Sequence, residues 1–223
     1  MRMSCRKFLA LGLLLATGGG LWAEDAPNAN GVKKRVVVLG DSITAGYGLD
    51  PQEAYPALLQ KKIDAAGLPY TVANAGVSGD TTAGGLRRIA WALGQQGAEV
   101  LVIALGGNDG LRGIQPEQTR ENLAGIIDKA RTKNPQMKVV IAGMQMPDNM
   151  GAEFTTKFKS LYPEIAKEKK AALVPFLLEG VGGSEELNQE DRIHPTAEGQ
   201  AKVAETVWKV LKGALEKGSQ AAP

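Results

Sequence analysis

The chain has 223 residues, 43% of them apolar, and carries 26 basic and 24 acidic side chains for a formal net charge of +2. That length is the size of one domain with a full core. A charge so close to balance gives no electrostatic case for nucleic acid or an anionic membrane surface as partner.

Arg2, Arg6 and Lys7 form a basic start, residues 8–16 an apolar run too short to span a bilayer, and Gly18-Gly19-Gly20 a helix-breaking exit. This is the pattern of a secretory signal peptide over 1–23, cleaved after Ala23. Cleavage takes away three basic residues and no acidic one, leaving 23 against 24, and it removes Cys5, the only cysteine. Disulfides and thiolate metal sites are thereby excluded from the mature chain. Residues 24–34 read as a polar lead-in, 35–217 as the folded domain, and 218–223 as a disordered tail.

Five apolar segments, at 36–39, 70–74, 100–105, 138–142 and 172–176, are each followed by an amphipathic stretch. Strand alternating with helix predicts an α/β fold whose parallel sheet is covered on both faces. After the first strand, Asp50, Pro51 and Glu53 read as a capped helix start, with Tyr55, Leu58, Leu59 and Ile63 inward and Gly67 as the stop. The second helix begins near Thr81, and the third follows Pro116. The fourth covers roughly 154–169, and the last runs from Pro195 to about Leu215.

Three polar, glycine-rich turns come directly after the first three strands: Gly40-Asp41-Ser42, Asn74 through Thr82, and Gly106-Gly107-Asn108-Asp109-Gly110. In a parallel sheet these open on one edge, the edge where ligands sit. Ser42, at the start of a first helical turn, is placed where a nucleophile is useful, and glycine there lets backbone N–H groups approach an oxyanion. His194, the only histidine, stands in Asp191-Arg192-Ile193-His194-Pro195. A carboxylate three residues ahead of an imidazole folds back onto Nδ1–H and stabilises the imidazolium formed when Nε2 takes a proton.

These four motifs, in this order, resemble the SGNH or GDSL-type serine hydrolases along essentially the whole mature chain. The chain looks most like their secreted bacterial thioesterase, lysophospholipase and arylesterase branch, through Asp41-Ser42-Ile43-Thr44-Ala45-Gly46-Tyr47-Gly48, Ser78-Gly79-Asp80-Thr81-Thr82 and Gly106 through Gly113. Ile43 stands where the short form of the motif continues with leucine, as it does in many members of this branch. The resemblance implies a three-layer flavodoxin-like sandwich with a five-stranded parallel sheet in the order 2-1-3-4-5. It also implies a catalytic triad of Ser42, Asp191 and His194, and an oxyanion hole made by Ser42, Gly79 and Asn108. The apolar segment from Met144 to Gly151 corresponds to the loop lining the acyl site in this branch, so Met146, Asn149 and Met150, with Leu111, are the expected acyl-binding residues.

The expected enzyme is thus an exported serine esterase, periplasmic in preference to released. It acts on small-molecule or lipid acyl esters, with thioesters and lysophospholipids included, and needs no cofactor and no metal. It inserts into no membrane after signal cleavage, and its oligomeric state is left open by the sequence, with a monomer favoured. A carbohydrate O-acetylesterase is the alternative within the family. From other classes, converging Asp41, Asp80 and Asp109 would suit a Mg²⁺-dependent phosphohydrolase, and the scaffold alone would suit a non-catalytic exported binding protein.

Overall fold

The computed structural model describes residues 33–219, with side chains described to residue 216. The signal peptide at 1–23 with Cys5, all but the end of the lead-in, and residues 220–223 of the tail lie outside the described residues. Five strands, β1 (Lys34–Gly40), β2 (Tyr70–Gly76), β3 (Val100–Ala104), β4 (Lys138–Ala142) and β5 (Ala172–Val174), pair in parallel in the order β2-β1-β3-β4-β5. Val36 to Leu39 and all of β3 are buried, as expected of strands covered on both faces.

The helices are α1 (Ser42–Ala45), α2 (Tyr55–Ala65), α3 (Thr82–Leu93), α4 (Gly107–Leu111), α5 (Pro116–Lys133), α6 (Ala152–Glu168) and α7 (Ala197–Ser219). Helices α2 and α7 pack on each other, and α5 packs between α3 and α6. The β1–β2 crossover runs one way along the sheet and the crossovers from β2 to β5 run the other, so right-handedness puts α2 on one face and α3, α5 and α6 on the opposite one, with α7 packed beside α2. The strand order reverses between β1 and β3, and the crevice this opens at the carboxyl edge is where a ligand fits. Among the described residues no helix is long and apolar enough to cross a membrane.

Several boundaries differ from expectation. The Asp50–Glu53 bonds form, Asp50 N–H to Glu53 Oε2 at 3.1 Å and Gln52 N–H to Asp50 Oδ1 at 2.8 Å, but they close a separate turn. Helix α2 starts only at Tyr55, with Pro56 in its first turn. Strand β5 stops at Val174 because Pro175 has no N–H for the ladder. Helix α7 starts two residues after Pro195, and its backbone runs through the first two positions of the expected tail.

Candidate active site

Ser42 owes its position to the turn that ends β1. A side chain on Gly40 would place a Cβ 1.9 Å from Thr44 Oγ1, so only glycine lets α1 start this close to the strand. Asp41 caps α1 by accepting the Ile43 N–H at 3.1 Å, and Ser42 takes the first helical position with 9% exposure. Burial pushes the Asp41 carboxyl up to about 6, against the opposing pull of the Ile43 N–H.

The histidine turn is tied to its own acid. Asp191 Oδ1 accepts the N–H groups of Ile193 at 2.9 Å and His194 at 3.0 Å, while Oδ2 lies 2.5 Å from His194 Nδ1. Arg192 between them has φ +58°, in the left-handed region, which lets the loop fold back within three residues. The His194 N–H, then the imidazole and the Ile193 N–H, hold the Asp191 carboxyl at about 2. On the other edge of the ring, Nε2 lies 2.9 Å from Ser42 Oγ. Ser42, His194 and Asp191 therefore form one hydrogen-bonded line.

The turn after β2 holds Gly79 at φ +76°, a conformation suited to glycine. It is gripped from three sides. Asn108 Nδ2 donates to Asp80 O at 2.9 Å, Arg112 donates to Gly79 O at 3.0 Å, and the Arg88 guanidinium donates to Asp80 Oδ2 at 2.7 Å. Arg88 also donates to Ala75 O at 2.8 Å and Gly40 O at 2.9 Å, so a single side chain joins the ends of β1 and β2 to this turn. Nδ2 of Asn108 carries two hydrogens, of which Asp80 O takes one.

Asp41, Asp80 and Asp109 do not converge as a cation site would require. Asp80 faces Arg88, Asp41 faces the Ile43 N–H, and buried Asp109 accepts from Thr82 N–H at 2.8 Å and from the Thr82 hydroxyl. Among the described residues no group of three or more His, Cys, Asp or Glu side chains is arranged to hold a metal ion.

Ser42, Asn108 and His194 line one side of a cavity of about 490 Å³. Its apolar wall is Leu111, Met144, Met146, Phe176, Leu178 and Ile193. Leu111 and Met146, two of the residues expected to bind the acyl chain, line this cavity. Asn149 and Met150 do not: Asn149 is exposed on a one-turn 3₁₀ helix, and Met150 lines a separate depression with Pro116 and Phe154. Gly79 is not among the cavity-lining residues, although its turn is joined to Asn108 through Asp80 O. Phe176 and Leu178 line the cavity without being expected from the sequence, where 172–176 reads as one strand; Pro175 is the signal that the strand stops earlier.

Residues 38–202 match the GDSL-like lipase/acylhydrolase family. The chain is 46% identical over 180 residues to the esterase TesA of Pseudomonas aeruginosa, covering 81% of this chain and 89% of that one. It is 36% identical over 177 residues to the thioesterase 1/protease 1/lysophospholipase L1 of Escherichia coli, covering 79% of this chain and 83% of that one. A crystal structure of TesA superposes with a TM-score of 0.78 at 45% identity, covering 82% of this chain and all of that one.

Proposed function

Since the chain belongs to the GDSL-like lipase/acylhydrolase family and is a serine ester hydrolase of the SGNH type, we propose that Ser42, His194 and Asp191 carry the reaction, with Ser42, Gly79 and Asn108 as its oxyanion hole. The observation behind this reading is the Ser42 Oγ–His194 Nε2 distance of 2.9 Å at the N-terminus of α1, on the wall of an apolar cavity.

Ser42 Oγ attacks the carbonyl carbon of the bound ester while His194 Nε2 takes its proton. The carbonyl π electrons move onto oxygen, where the backbone N–H groups of Ser42 and Gly79 and the Asn108 amide meet the charge. The tetrahedral intermediate collapses, the bond to the alcohol or thiol breaks, and the imidazolium protonates the leaving group. Water then repeats the cycle on the acyl-enzyme and releases the acid. Asp191 keeps Nδ1 protonated throughout, and its carboxyl, held at about 2, stays ionised at any working pH.

The substrates are aliphatic and aryl acyl esters, with thioesters and lysophospholipids in the same class. The flexible methionines and Phe176 suit a variable acyl chain, whereas an O-acetylesterase for carbohydrate would want a smaller, polar pocket. Residues 1–23 direct export, with the periplasm favoured over release. The test is hydrolysis of p-nitrophenyl esters of short and long acyl chains by the mature chain in chelator, beside Ser42→Ala. Activity that survives chelator and falls at least about a thousandfold in the variant supports the serine mechanism. Activity untouched by the substitution overturns it.

A further inference from the structure

Tyr47, which the mechanism above does not use, lies against the His194 imidazole with ring centroids 4.5 Å apart and planes inclined by 38°. The residue is 52% exposed. Resting on the roles proposed for Ser42 and His194, we infer that Tyr47 is a positioning residue that holds the His194 ring in the plane from which Nε2 reaches Ser42 Oγ.

The need for such a group follows from geometry. The bonds to Asp191 and Ser42 meet the imidazole at two edge atoms, Nδ1 and Nε2. Two points define an axis, and a planar ring held at two points still rocks about it. A third constraint must act on a face, and Tyr47 supplies one. The constraint matters most during acyl transfer, when Oγ moves from Nε2 to the carbonyl carbon and only the Asp191 bond remains. At that moment the imidazole carries a second proton, and an aromatic face beside a cation is favourable.

The backbone of Tyr47 ties the ring to both reacting groups. Its N–H donates to Ser42 O at 3.0 Å, and its carbonyl accepts from Gln189 Nε2 at 2.7 Å. The Gln189 N–H donates to His194 O at 2.7 Å, and Nε2 also donates to Pro195 O at 3.1 Å. A closed circuit results, from Ser42 through Tyr47, Gln189 and His194 back to Ser42. Gly48 makes room for it: a Cβ there would lie 2.4 Å from Gln189 Oε1, and φ is +78°. The ring is therefore referenced to the nucleophile and the base at once, unlike an exposed aromatic placed at random.

The experiment measures kcat and KM with p-nitrophenyl butyrate for Tyr47→Ala, Tyr47→Leu and Tyr47→Phe, together with ¹³C relaxation of the imidazole Cε1–H. The chain holds a single histidine, so that signal needs no assignment. Tyr47→Ala is expected to lower kcat about threefold to tenfold, the rate equivalent of one aromatic contact, with KM changed by less than about twofold. Its ring order should fall, Tyr47→Phe should restore both, and Tyr47→Leu, apolar but not flat, should fall between. The inference is overturned if Tyr47→Ala keeps the wild-type kcat and ring order, or if the whole loss lies in KM, which would make Tyr47 a contact for substrate. A wild-type chain that hydrolysed no ester would count against the proposed function, while the relaxation data would still decide whether Tyr47 holds the ring.

Discussion

Asp191 meets His194 twice, accepting its backbone N–H on Oδ1 at 3.0 Å and facing its Nδ1 with Oδ2 at 2.5 Å. One oxygen shapes the turn and the other selects the tautomer, so Asp191→Asn separates the two tasks. The amide oxygen of asparagine keeps the backbone bonds to Ile193 and His194. The amide nitrogen, a donor, requires Nδ1 to accept, which moves the proton to Nε2 and leaves it unable to take one from Ser42. We expect kcat to fall about ten-thousandfold with the thermal midpoint little changed. A variant within about tenfold of wild type would remove Asp191 from the mechanism.

Asn108→Ala tests the oxyanion hole. The substitution deletes the bond to Asp80 O as well as the proposed contact to the oxyanion, and the two losses differ in size. A neutral hydrogen bond contributes about 1 kcal/mol to stability, whereas an oxyanion donor contributes about a hundredfold to a thousandfold in kcat. Urea denaturation beside steady-state kinetics reads both. A kcat loss no larger than the stability change accounts for would assign Asn108 to the fold alone.

The buried carboxyl of Asp41 makes stability fall as pH rises. Its folded pKa of about 6 lies above the ordinary 3.8 because burial disfavours the charge. Between these values the folded state binds more protons than the unfolded one, so stability decreases with rising pH across about pH 4 to 6. Asp191, held at about 2, has the opposite sign: its contribution is present above about pH 4 and is lost as pH falls toward 2. In Asp41→Asn the amide oxygen would still accept the Ile43 N–H, but the side chain would not ionise. Denaturation midpoints of Asp41→Asn should therefore fall less steeply than wild type from pH 4 to 6, and equal slopes would show that the Asp41 carboxyl does not titrate there.

The parts of this molecule that were legible in the sequence are those encoded locally. The β-branched run of β1 followed by Gly40-Asp41-Ser42, the Thr81 cap of α3, Pro116 at the first turn of α5 and the Asp191–His194 spacing each contain their own geometry within a few residues. Local reading failed where a nearby signal was overruled. The Asp50–Glu53 capping pair closes a turn instead of a helix, and the apolar character around Asn149 and Met150 does not carry those residues to the cavity. It was silent where the partner lies far along the chain. Nothing near Arg88 announces that it will reach Gly40 O, and nothing near Tyr47 announces Gln189, 142 residues on. Ser42, Asp191 and His194 stand out in the sequence as candidates, while the side chains that hold them in register needed the assembled sheet.

Gly110→Ala should shift acyl-chain preference without harming the fold. Gly110 lies inside α4 and is buried, and alanine in a helix interior is favoured over glycine by about 0.5–1 kcal/mol. The added Cβ, however, would lie 2.0 Å from Met146 Sδ and 2.7 Å from its Cε. Methionine is flexible enough to move, and the cavity that Met146 lines is the open space beside it. The displaced thioether would then occupy volume that a long acyl chain needs and a short one does not. The ratio of kcat/KM for p-nitrophenyl laurate to that for the butyrate should drop about tenfold, the value of one to two buried methylenes. An unchanged ratio would mean that the acyl chain does not lie along Met146, and would move the acyl site to the Phe176 and Leu178 side of the cavity.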